Sequence, residues 1–293
     1  MVAKIISGRE VAENILSTDL KNKVIELNKK NIKPKLIVVL VGDMKASASY
    51  VAQKEKFAIK AGIESDVIRF EATVKEDEIL KKIDDINSDD KIHGVIVQLP
   101  LPDHISVAKV LNRISPSKDV DGFTPTNVGK LFLGEDTLVS CTPKGIMQML
   151  DSTNTDLSGK NVTVIGRSNI VGKPVAILCL QKNATVTVCH SRTKDLNAKL
   201  NDADIVIVAV GIPKFIHGDQ IPENAIVIDV GIHNIDGKLC GDVDFESACL
   251  KASAITPVPG GVGPMTVCAL IENTIIAAER QEWAPEKIRT SDL

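Results

Sequence analysis

Aromatic residues are scarce in this sequence, and their scarcity narrows the partners that the chain can have. Phe, Trp and Tyr make up 3% of its 293 residues, which argues against the stacking platforms on which proteins hold single-stranded nucleic acids. The formal net charge is −3, so no basic field attracts nucleic acid or a membrane surface. We therefore expect neither nucleic acid nor a membrane among the partners.

Paired cysteines and a hydrophobic leader are also missing. The six cysteines form no C-x-x-C pair, which favours free buried thiols in a reducing compartment over a disulfide framework or a zinc site. The five histidines show no ligand spacing, so no metal site is predicted. The N-terminus has no signal-peptide core, and no apolar run approaches the roughly 20 residues of a membrane helix. These features predict a soluble cytoplasmic protein.

The first half of the chain alternates strand and helix patterns. Apolar residues make up 44% of the sequence, and the length suits two domains or one large α/β unit. The run KLIVVLV is short, β-branched and bounded by Pro34 and Gly42, as in a fully buried strand. Alternation of this kind predicts parallel βαβ units, with strands at 35–41, 66–70 and 94–98 and helices at 9–30, 47–60, 75–87 and 106–114.

Residues 115–141 interrupt this rhythm. They are rich in Pro, Gly, Thr and Asp, which predicts a long irregular loop, and such loops inside compact proteins are usually functional. A helix is predicted to begin near Thr142, with Thr142 as its N-cap and Pro143 at its first position.

A second unit is predicted from about Leu157. Its strands fall at 162–165, 185–189, 205–209 and 225–230, with a glycine-containing loop and a helix after the first. This is the Rossmann-like, mononucleotide-binding pattern. The segment ITPVPGGVGPMT then leads into a long helix to about Arg280, and the tail beyond it is polar. The predicted fold class is therefore α/β, with an N-terminal αβ domain, a Rossmann-like domain and a cleft between them.

The glycine-containing loop is the candidate dinucleotide site. Gly166, Arg167, Ser168 and Gly172 follow the strand VTVI and precede a helix, where backbone N–H groups can approach a pyrophosphate. Their spacing is G-x-x-x-x-x-G rather than G-x-G-x-x-G, so a tight strand-to-helix turn without a ligand stays an alternative.

The end of the second Rossmann strand indicates which dinucleotide fits. An NAD site normally carries Asp or Glu there for the ribose hydroxyl, whereas this chain has His190, Ser191 and Arg192. A hydroxyl and a guanidinium suit a 2′-phosphate, and Arg167 adds a second positive charge. The pattern favours NADP, the alternative being that Arg192 is a solvated surface side chain.

Four residues of the first half form a candidate catalytic constellation. Tyr50 and Lys54 lie four residues apart on a predicted helix and therefore share a face. Gln98 ends a predicted strand, and Asp121 lies in the irregular loop. Each taken singly also has a plain structural role, such as a solvated lysine or a turn former, but their placement at strand ends favours a shared ligand site.

Together these residues and their neighbours resemble one family, the bifunctional methylenetetrahydrofolate dehydrogenase/methenyltetrahydrofolate cyclohydrolases. The matching segments run in order from about residue 8 to residue 280, and their combined specificity is high although each alone is modest. They are SASYVAQKEKFAIKAGI, GVIVQLPLP, SKDVDGFTPTNVGKL, CTPKGIMQML, VTVIGRSNIVGKPVA, ATVTVCHSRT, IDVGI and ITPVPGGVGPMT.

The resemblance implies a domain division, an assembly and a role for each site residue. A folate-binding catalytic domain would comprise residues 1–140 and 270–293, a Rossmann-like NADP-binding domain residues 141–269, and the chain would form a homodimer. Tyr50 would stack on the folate, Lys54 would be the central catalytic residue assisted by Gln98, and Asp121 would hold the pterin ring. Val97–Leu99 and Val258–Thr266 would line the folate site, through Val97, Leu99, Pro259, Gly260, Gly261, Pro264 and Thr266, and NADP would contact Gly166, Arg167, Ser168, Gly172, Ser191, Arg192 and Ile232.

The implied chemistry has two steps with different needs, in one-carbon metabolism that serves purine biosynthesis. Oxidation of 5,10-methylenetetrahydrofolate to the 5,10-methenyl cation is driven by nitrogen lone pairs and needs orientation more than acid–base help. Hydrolysis to 10-formyltetrahydrofolate needs a base for water, and a lysine beside a cationic ligand has its ammonium form disfavoured. Whether Lys54 acts directly or through Tyr50 or a water stays open.

Three other functions remain alternatives at this point. A short-chain dehydrogenase also uses Tyr-x-x-x-Lys, but there the pair follows the dinucleotide fold, whereas here it precedes it by over a hundred residues. A non-catalytic NADP-binding protein would not need Lys54, Gln98 and Asp121 together, and a dehydrogenase without cyclohydrolase activity would not need the lysine.

Overall fold

The computed structural model describes the backbone of residues 2–42 and 45–283, and the side chains of the same residues except 45–51, 282 and 283. The described chain forms, in order, β1 (Lys4–Ile5), α1 (Gly8–Ile15), a π-helical turn (Leu16–Leu20), α2 (Lys21–Lys29), β2 (Lys35–Val41), α3 (Lys45–Ala61), β3 (Glu64–Phe70), α4 (Glu76–Ser88), β4 (Gly94–Val97), α5 (Val107–Arg113), α6 (Pro125–Leu133), α7 (Cys141–Ser152), β5 (Asn161–Ile165), α8 (Gly172–Gln181), β6 (Thr185–Cys189), α9 (Leu196–Leu200), β7 (Ile205–Val208), a 3₁₀ turn (Gly218–Gln220), β8 (Ile226–Asp229), β9 (His233–Ile235), β10 (Lys238–Cys240), α10 (Phe245–Ala248), β11 (Ala254–Ile255) and α11 (Val262–Trp283).

These elements divide into two compact units. One, here called the three-stranded unit, comprises Leu16–Thr124 and the chain from Leu270, and the other, the six-stranded unit, comprises the chain up to Ile15 and Pro125–Ala269. Residues 1–15 and 125–140 therefore group with the Rossmann-like part of the chain, whereas the division predicted from sequence put them with the first half. Which residues serve folate and which serve NADP stays a prediction.

The three-stranded unit has a parallel sheet in the order β3-β2-β4. The central strand β2 is buried along six of its seven residues, which explains its unbroken run of aliphatic side chains. Ile79, Ile83 and Ile86 of α4 share one helix face and are buried against Val95 and Val97 of β4. The carboxyl ends of β2 and β4 lie side by side, which positions the residues that follow them.

The six-stranded unit has the parallel order β1-β11-β8-β7-β5-β6. The buried runs of β5, β7 and β8 form its centre, and β6 lies at one edge. The order reverses between β5 and β7, where doubly wound sheets bind nucleotides. An antiparallel hairpin, β9–β10, follows β8.

Two features of the region 115–142 differ from the prediction. The predicted loop contains α6, which begins at Pro125, where a fixed φ suits a first helical turn, and which buries Leu131. The polar and glycine-rich composition concealed it. The next helix begins at Cys141 with Ser140 at the N-cap, so Thr142 is not the N-cap and Pro143 is not the first residue. The Thr142 hydroxyl instead hydrogen-bonds the Thr266 hydroxyl at 2.9 Å.

Several short elements were not predicted because they carry no periodic pattern. The two-residue strands β1 and β11 extend the six-stranded sheet, and their pairing comes from tertiary context alone. The β9–β10 hairpin turns through Asp236 and Gly237, which both have positive φ.

One described helix, over Val262–Gln281 within α11, is long and apolar enough to cross a membrane by length and composition alone. The sequence expectation had found no run of that kind. Within the structure 67% of its apolar window is buried, so α11 has the burial of a core helix.

Candidate functional site

A lysine and a glutamine meet at the carboxyl edge of the three-stranded sheet. Lys54 lies on α3, which follows β2, and Gln98 comes directly after β4, where its backbone N–H donates to the Val39 carbonyl at 2.8 Å. The Lys54 Nζ donates to Gln98 Oε1 at 2.8 Å, and both side chains are half-buried. The structure thus brings together two residues that are 44 positions apart.

The orientation of the Gln98 amide follows from its two contacts. Its Nε2 donates to the Leu99 carbonyl at 2.9 Å while Oε1 accepts from Lys54. The reverse orientation would set the amide NH₂ against the lysine donors and an oxygen against the carbonyl. Gln98 therefore presents an acceptor to Lys54. Tyr50 lies one helical turn earlier on α3, and its side chain falls outside the described residues.

The segment that carries Asp121 is held beside β4 by buried polar groups. Asp119 is 2% exposed, and its carboxylate accepts from the Gly122 and Thr124 N–H groups at 3.0 and 2.7 Å. The Val95 N–H donates to the Lys118 carbonyl at 2.9 Å, and the buried Asn273 Nδ2 donates to the Val120 carbonyl at 2.8 Å. Asp121 itself is half-buried in this fixed segment.

Lys118 and Asp119 were missed by sequence reasoning, which treated this segment as a loop rich in turn formers. Lys118 is 4% exposed, and its ammonium donates to the carbonyls of Ile86 and Asp89 at 2.9 and 2.6 Å, at the C-terminal end of α4. Burial, together with the Lys118 charge, lowers the pKa of His93. The His93 Nδ1 accepts the Lys35 N–H at 3.2 Å, so this histidine has a structural role.

The proline- and glycine-rich segment before α11 lies in the six-stranded unit. Gly260 has a φ of +103° and accepts the Arg9 N–H at 3.0 Å. A side chain at Gly261 would lie 2.5 Å from the Pro257 carbonyl oxygen, which explains the second glycine. Pro259 is exposed, and Pro264 and Thr266 are half-buried. The segment is therefore fixed in its backbone while several of its predicted folate contacts remain accessible.

The glycine loop between β5 and α8 requires both of its glycines for close approach. Gly166 has a φ of +126°, and an added Cβ would lie 2.2 Å from the Ala209 carbonyl oxygen. A Cβ on Gly172 would lie 2.2 Å from the Gly166 carbonyl oxygen. The G-x-x-x-x-x-G spacing thus packs the start of α8 directly on the end of β5, as dinucleotide-binding loops require.

Ser168 has a local role in this loop that its sequence position did not indicate. Its hydroxyl oxygen accepts from the Val171 and Gly172 N–H groups at 3.1 and 3.3 Å, and so occupies two donors at the start of α8. Arg167 and Ser168 are both exposed. The loop can therefore offer an anion a guanidinium and a hydroxyl beside the glycine backbone.

The turn after β6, residues His190–Arg192, has no carboxylate side chain. The His190 N–H donates to Thr193 Oγ1 at 2.8 Å, and the Arg192 N–H donates to His190 Nδ1 at 3.1 Å. Ser191 and Arg192 are exposed. The Gly166 N–H donates to the Cys189 carbonyl at 2.9 Å, so this turn adjoins the glycine loop. The residues present fit a dinucleotide that carries a 2′-phosphate.

Two buried carboxylates lie at the carboxyl ends of β7 and β8, and sequence reasoning did not single them out. Asp229 accepts from the Gly231, Asp242 and Val243 N–H groups at 3.0, 2.8 and 2.9 Å. Burial raises the pKa of Asp229 to about 6, against the opposing effect of these three donors. The sequence signal available was a pair of glycines close to these aspartates in the chain: Gly231 follows Asp229 by two residues, and Gly241 directly precedes Asp242.

Among the described residues, no group of three or more His, Cys, Asp or Glu side chains could hold a metal ion. The polar groups that the described residues bring together are a lysine–amide pair, a fixed carboxylate and a dinucleotide-binding loop.

Comparison with known proteins adds the family context. Residues 6–121 match the family model of the tetrahydrofolate dehydrogenase/cyclohydrolase catalytic domain, and residues 140–282 match the model of its NAD(P)-binding domain. The bifunctional protein FolD of Bacillus licheniformis is 57% identical over 281 residues, which are 96% of this chain and 99% of that protein.

Two solved structures extend this likeness to the fold. The bifunctional FolD of Campylobacter jejuni superposes with a TM-score of 0.92 at 45% identity, covering 95% of this chain and 99% of its own. The methylenetetrahydrofolate dehydrogenase-cyclohydrolase of Trypanosoma brucei, in complex with NADP and an inhibitor, gives 0.91 at 37% identity, covering 97% and 100%.

Proposed function

Because the chain belongs to the tetrahydrofolate dehydrogenase/cyclohydrolase family, we propose that it is bifunctional and acts on folate-bound one-carbon units. It oxidises 5,10-methylenetetrahydrofolate to the 5,10-methenyl cation, with hydride transfer to NADP, and hydrolyses that cation to 10-formyltetrahydrofolate. The formyl product feeds purine biosynthesis.

The hydrogen bond between Lys54 and Gln98 is the observation that carries the cyclohydrolase assignment. The Gln98 oxygen engages one N–H of the amine, which leaves the lone pair of a neutral lysine directed elsewhere. Beside a cationic substrate the ammonium form of a half-buried lysine is disfavoured. Lys54 then takes a proton from the attacking water, as a general base held in place by Gln98.

The folate site that we propose includes this pair. Tyr50 stacks on the folate and Asp121 accepts hydrogen bonds from the pterin ring, with its position set by the Asp119 turn. Orientation is the main requirement for the oxidation, and the other residues that supply it are Val97, Leu99, Pro259, Gly260, Gly261, Pro264 and Thr266.

The dinucleotide site that we propose lies along the carboxyl ends of β5, β6 and β8. The glycine cradle at Gly166 and Gly172 and the turn after β6 without a carboxylate support the choice of NADP. Ser191, Arg192 and Arg167 hold the 2′-phosphate, while Ser168 and Ile232 contact the remainder of the cofactor.

We further propose that the enzyme is a homodimer. Strand β6 is an edge strand of the six-stranded sheet with Val188 partly exposed, and an open edge invites pairing. Phe132, Leu133 and Leu180 are exposed on adjacent helices, where Gln181 Nε2 donates to the Leu131 carbonyl at 2.6 Å. A solution mass of twice 31.5 kDa by light scattering supports the dimer, and a mass of one chain contradicts it.

The proposed compartment is the cytoplasm. The six cysteines, which all lie within the described residues, form no disulfide, and five of them are buried, as expected for a protein kept in reducing surroundings. Burial raises the pKa of the Cys179 thiol to about 12, so this thiol stays protonated and unreactive.

Two coupled absorbance assays on the purified enzyme test the proposed function. One follows NADPH formation from 5,10-methylenetetrahydrofolate, and the other follows decay of added 5,10-methenyltetrahydrofolate without cofactor. We expect both activities. NADPH formation with uncatalysed methenyl decay would leave a dehydrogenase alone, and NADP binding without either activity would leave a binding protein.

A further inference from the structure

Asp242 lies outside the residues assigned to folate or NADP, yet its carboxylate makes three hydrogen bonds to two different loops. It is fully buried, with 0% of its surface exposed. Its Oδ2 accepts from the Val210 and Gly211 N–H groups at 2.7 and 2.9 Å. Its Oδ1 lies 2.7 Å from His233 Nε2, and because a carboxylate only accepts, the Nε2–H donates.

The two loops that Asp242 joins follow neighbouring strands of the sheet. Val210 and Gly211 lie two and three residues after β7, and Gly231 and Ile232 lie between β8 and His233, which is the first residue of β9. Ligands of open α/β sheets bind at the carboxyl ends of the strands. One of the joined loops carries Ile232, which is 49% exposed and belongs to the proposed NADP site.

Asp229 ties Asp242 to the sheet, and these two carboxylates with their hydrogen bonds are here called the carboxylate clasp. Asp229 ends β8, and its carboxylate accepts the N–H groups of Asp242 and Val243 at 2.8 and 2.9 Å. The segment around Asp242 is thereby tied to β8, while the Lys214 N–H donates to the Gly241 carbonyl at 2.9 Å and the Ile216 N–H to the Asp242 carbonyl at 3.1 Å. The chain that follows β10 is therefore hydrogen-bonded both to the segment after β7 and to the segment after β8.

The glycines of this region are explained by the same close approach. A Cβ on Gly231 would lie 2.2 Å from Asp242 Oδ1, and a Cβ on Gly241 would lie 1.9 Å from Asp229 Oδ2. Neither carboxylate could reach its donors past a larger residue. The local sequence is therefore built around the two carboxylates.

We infer that Asp242 is a positioning residue for the dinucleotide site: it fixes the loops after β7 and β8, and His233 transmits this to the loop that carries Ile232. This inference rests on the proposed NADP site. Because Asp242 is fully buried, we expect it to act through its neighbours rather than by contact with a substrate, and we expect its effect on activity to be confined to cofactor binding and hydride transfer. Hydrolysis of the methenyl cation is neither an oxidation nor a reduction, so it needs no NADP.

The test compares the two activities in matched variants. Asp242→Ala removes the carboxylate that accepts from the Val210 and Gly211 N–H groups and from His233, and we expect the NADP Kd and KM to rise roughly 10- to 100-fold, with cyclohydrolase kcat/KM within about twofold of wild type. Asp242→Asn keeps an oxygen for Val210 and Gly211 and an amide for the other His233 tautomer, so it restores most of the affinity. Asp204→Asn is the control. Asp204 accepts the Asn161 N–H at 2.8 Å at the amino ends of β5 and β7, whereas the proposed cofactor site lies at the carboxyl ends of the strands.

A second variant keeps the test decisive if Asp242→Ala does not fold. His233 is half-buried, and His233→Ala removes only the link to the loop of Ile232, so we expect a smaller rise in NADP KM with unchanged hydrolysis. Unchanged NADP Kd and KM, or an equal loss of both activities in the folded variants, would overturn the inference. Failure of the proposed function itself is distinct, since the wild-type enzyme would then lack one or both activities.

Discussion

The two polar clusters of the molecule differ in how their side chains are surrounded. Lys54 on α3 and Gln98 after β4 are half-buried, and the Lys54 Nζ donates to Gln98 Oε1 at 2.8 Å. Asp229 and Asp242 are at most 2% exposed, and each carboxylate accepts three hydrogen bonds. A group that must exchange protons with water has to be reachable, whereas a buried and saturated group can only hold its neighbours in place.

This difference indicates that the two clusters have different roles in the enzyme. The lysine–amide pair is suited to act on a ligand, and the carboxylate pair is suited to fix the loops around one. Substitutions in the two clusters should therefore fail in different ways: the first in the rate of hydrolysis, the second in stability and cofactor affinity.

The largest expected effect is that of Lys54→Met, which removes the proposed base while keeping the length of the side chain. We expect cyclohydrolase kcat to fall by roughly 10³-fold, with NADP affinity unchanged. Decay of methenyltetrahydrofolate measured at saturating substrate checks this, and Lys56→Met on the exposed side of the same helix is the control. Wild-type hydrolysis by Lys54→Met would remove the distinction between the clusters.

Sequence patterns and the structure agree where periodicity is strong. The strand KLIVVLV was predicted with the observed bounds, and Thr185–Cys189 likewise. Lys54 and Gln98 could be selected because strand ends and helix spacing are visible in sequence, although their contact is not. Asp229 and Asp242 could not, because four of their six partners are backbone N–H groups 13 to 32 residues away, which only the tertiary fold supplies. Helix α6 was missed because its stability comes from packing rather than from propensity.

Gly231→Ala should disrupt the hydrogen bonds of the two buried carboxylates, Asp229 and Asp242, directly. The added Cβ would lie 2.2 Å from Asp242 Oδ1 and 2.4 Å from its backbone nitrogen, so the clasp must open. We expect the free energy of unfolding to fall by roughly 2–4 kcal/mol, measured by urea titration. Gly129→Ala in α6 meets nothing within 4 Å, and it should change stability by at most about 1 kcal/mol, in the stabilising direction. Equal behaviour of the two variants would show that the cluster tolerates rearrangement.

The ionisation of Asp229 gives the pair of buried carboxylates, Asp229 and Asp242, a pH dependence. Burial raises its pKa from 3.8 to about 6, so the folded state binds this proton more tightly than the unfolded state. The resulting stabilisation is fully present below pH 4 and is lost as pH rises through 6, with a span of ~3 kcal/mol.

Asp229→Asn isolates this contribution. The variant loses one acceptor for a backbone N–H at every pH, so its absolute stability is not the test. We expect the difference in unfolding free energy between wild type and variant to change between pH 4 and pH 7, in the direction that favours wild type at low pH. Parallel curves across this range would show that Asp229 stays ionised in the folded protein.

The smallest expected effect concerns the exposed turn after β6, which belongs to neither cluster. Ser191→Asp with Arg192→Ala adds a negative charge and removes a positive one where we propose the 2′-phosphate binds. Because these side chains are exposed, water screens the change, and we expect the NADP Kd to rise about tenfold, by titration calorimetry, with NAD affinity and cyclohydrolase activity retained. Lys194→Ala, exposed three residues further along the chain than Ser191, is the matched control for lost surface charge. Equal NADP affinity in the double variant and wild type would place the 2′-phosphate away from Ser191 and Arg192.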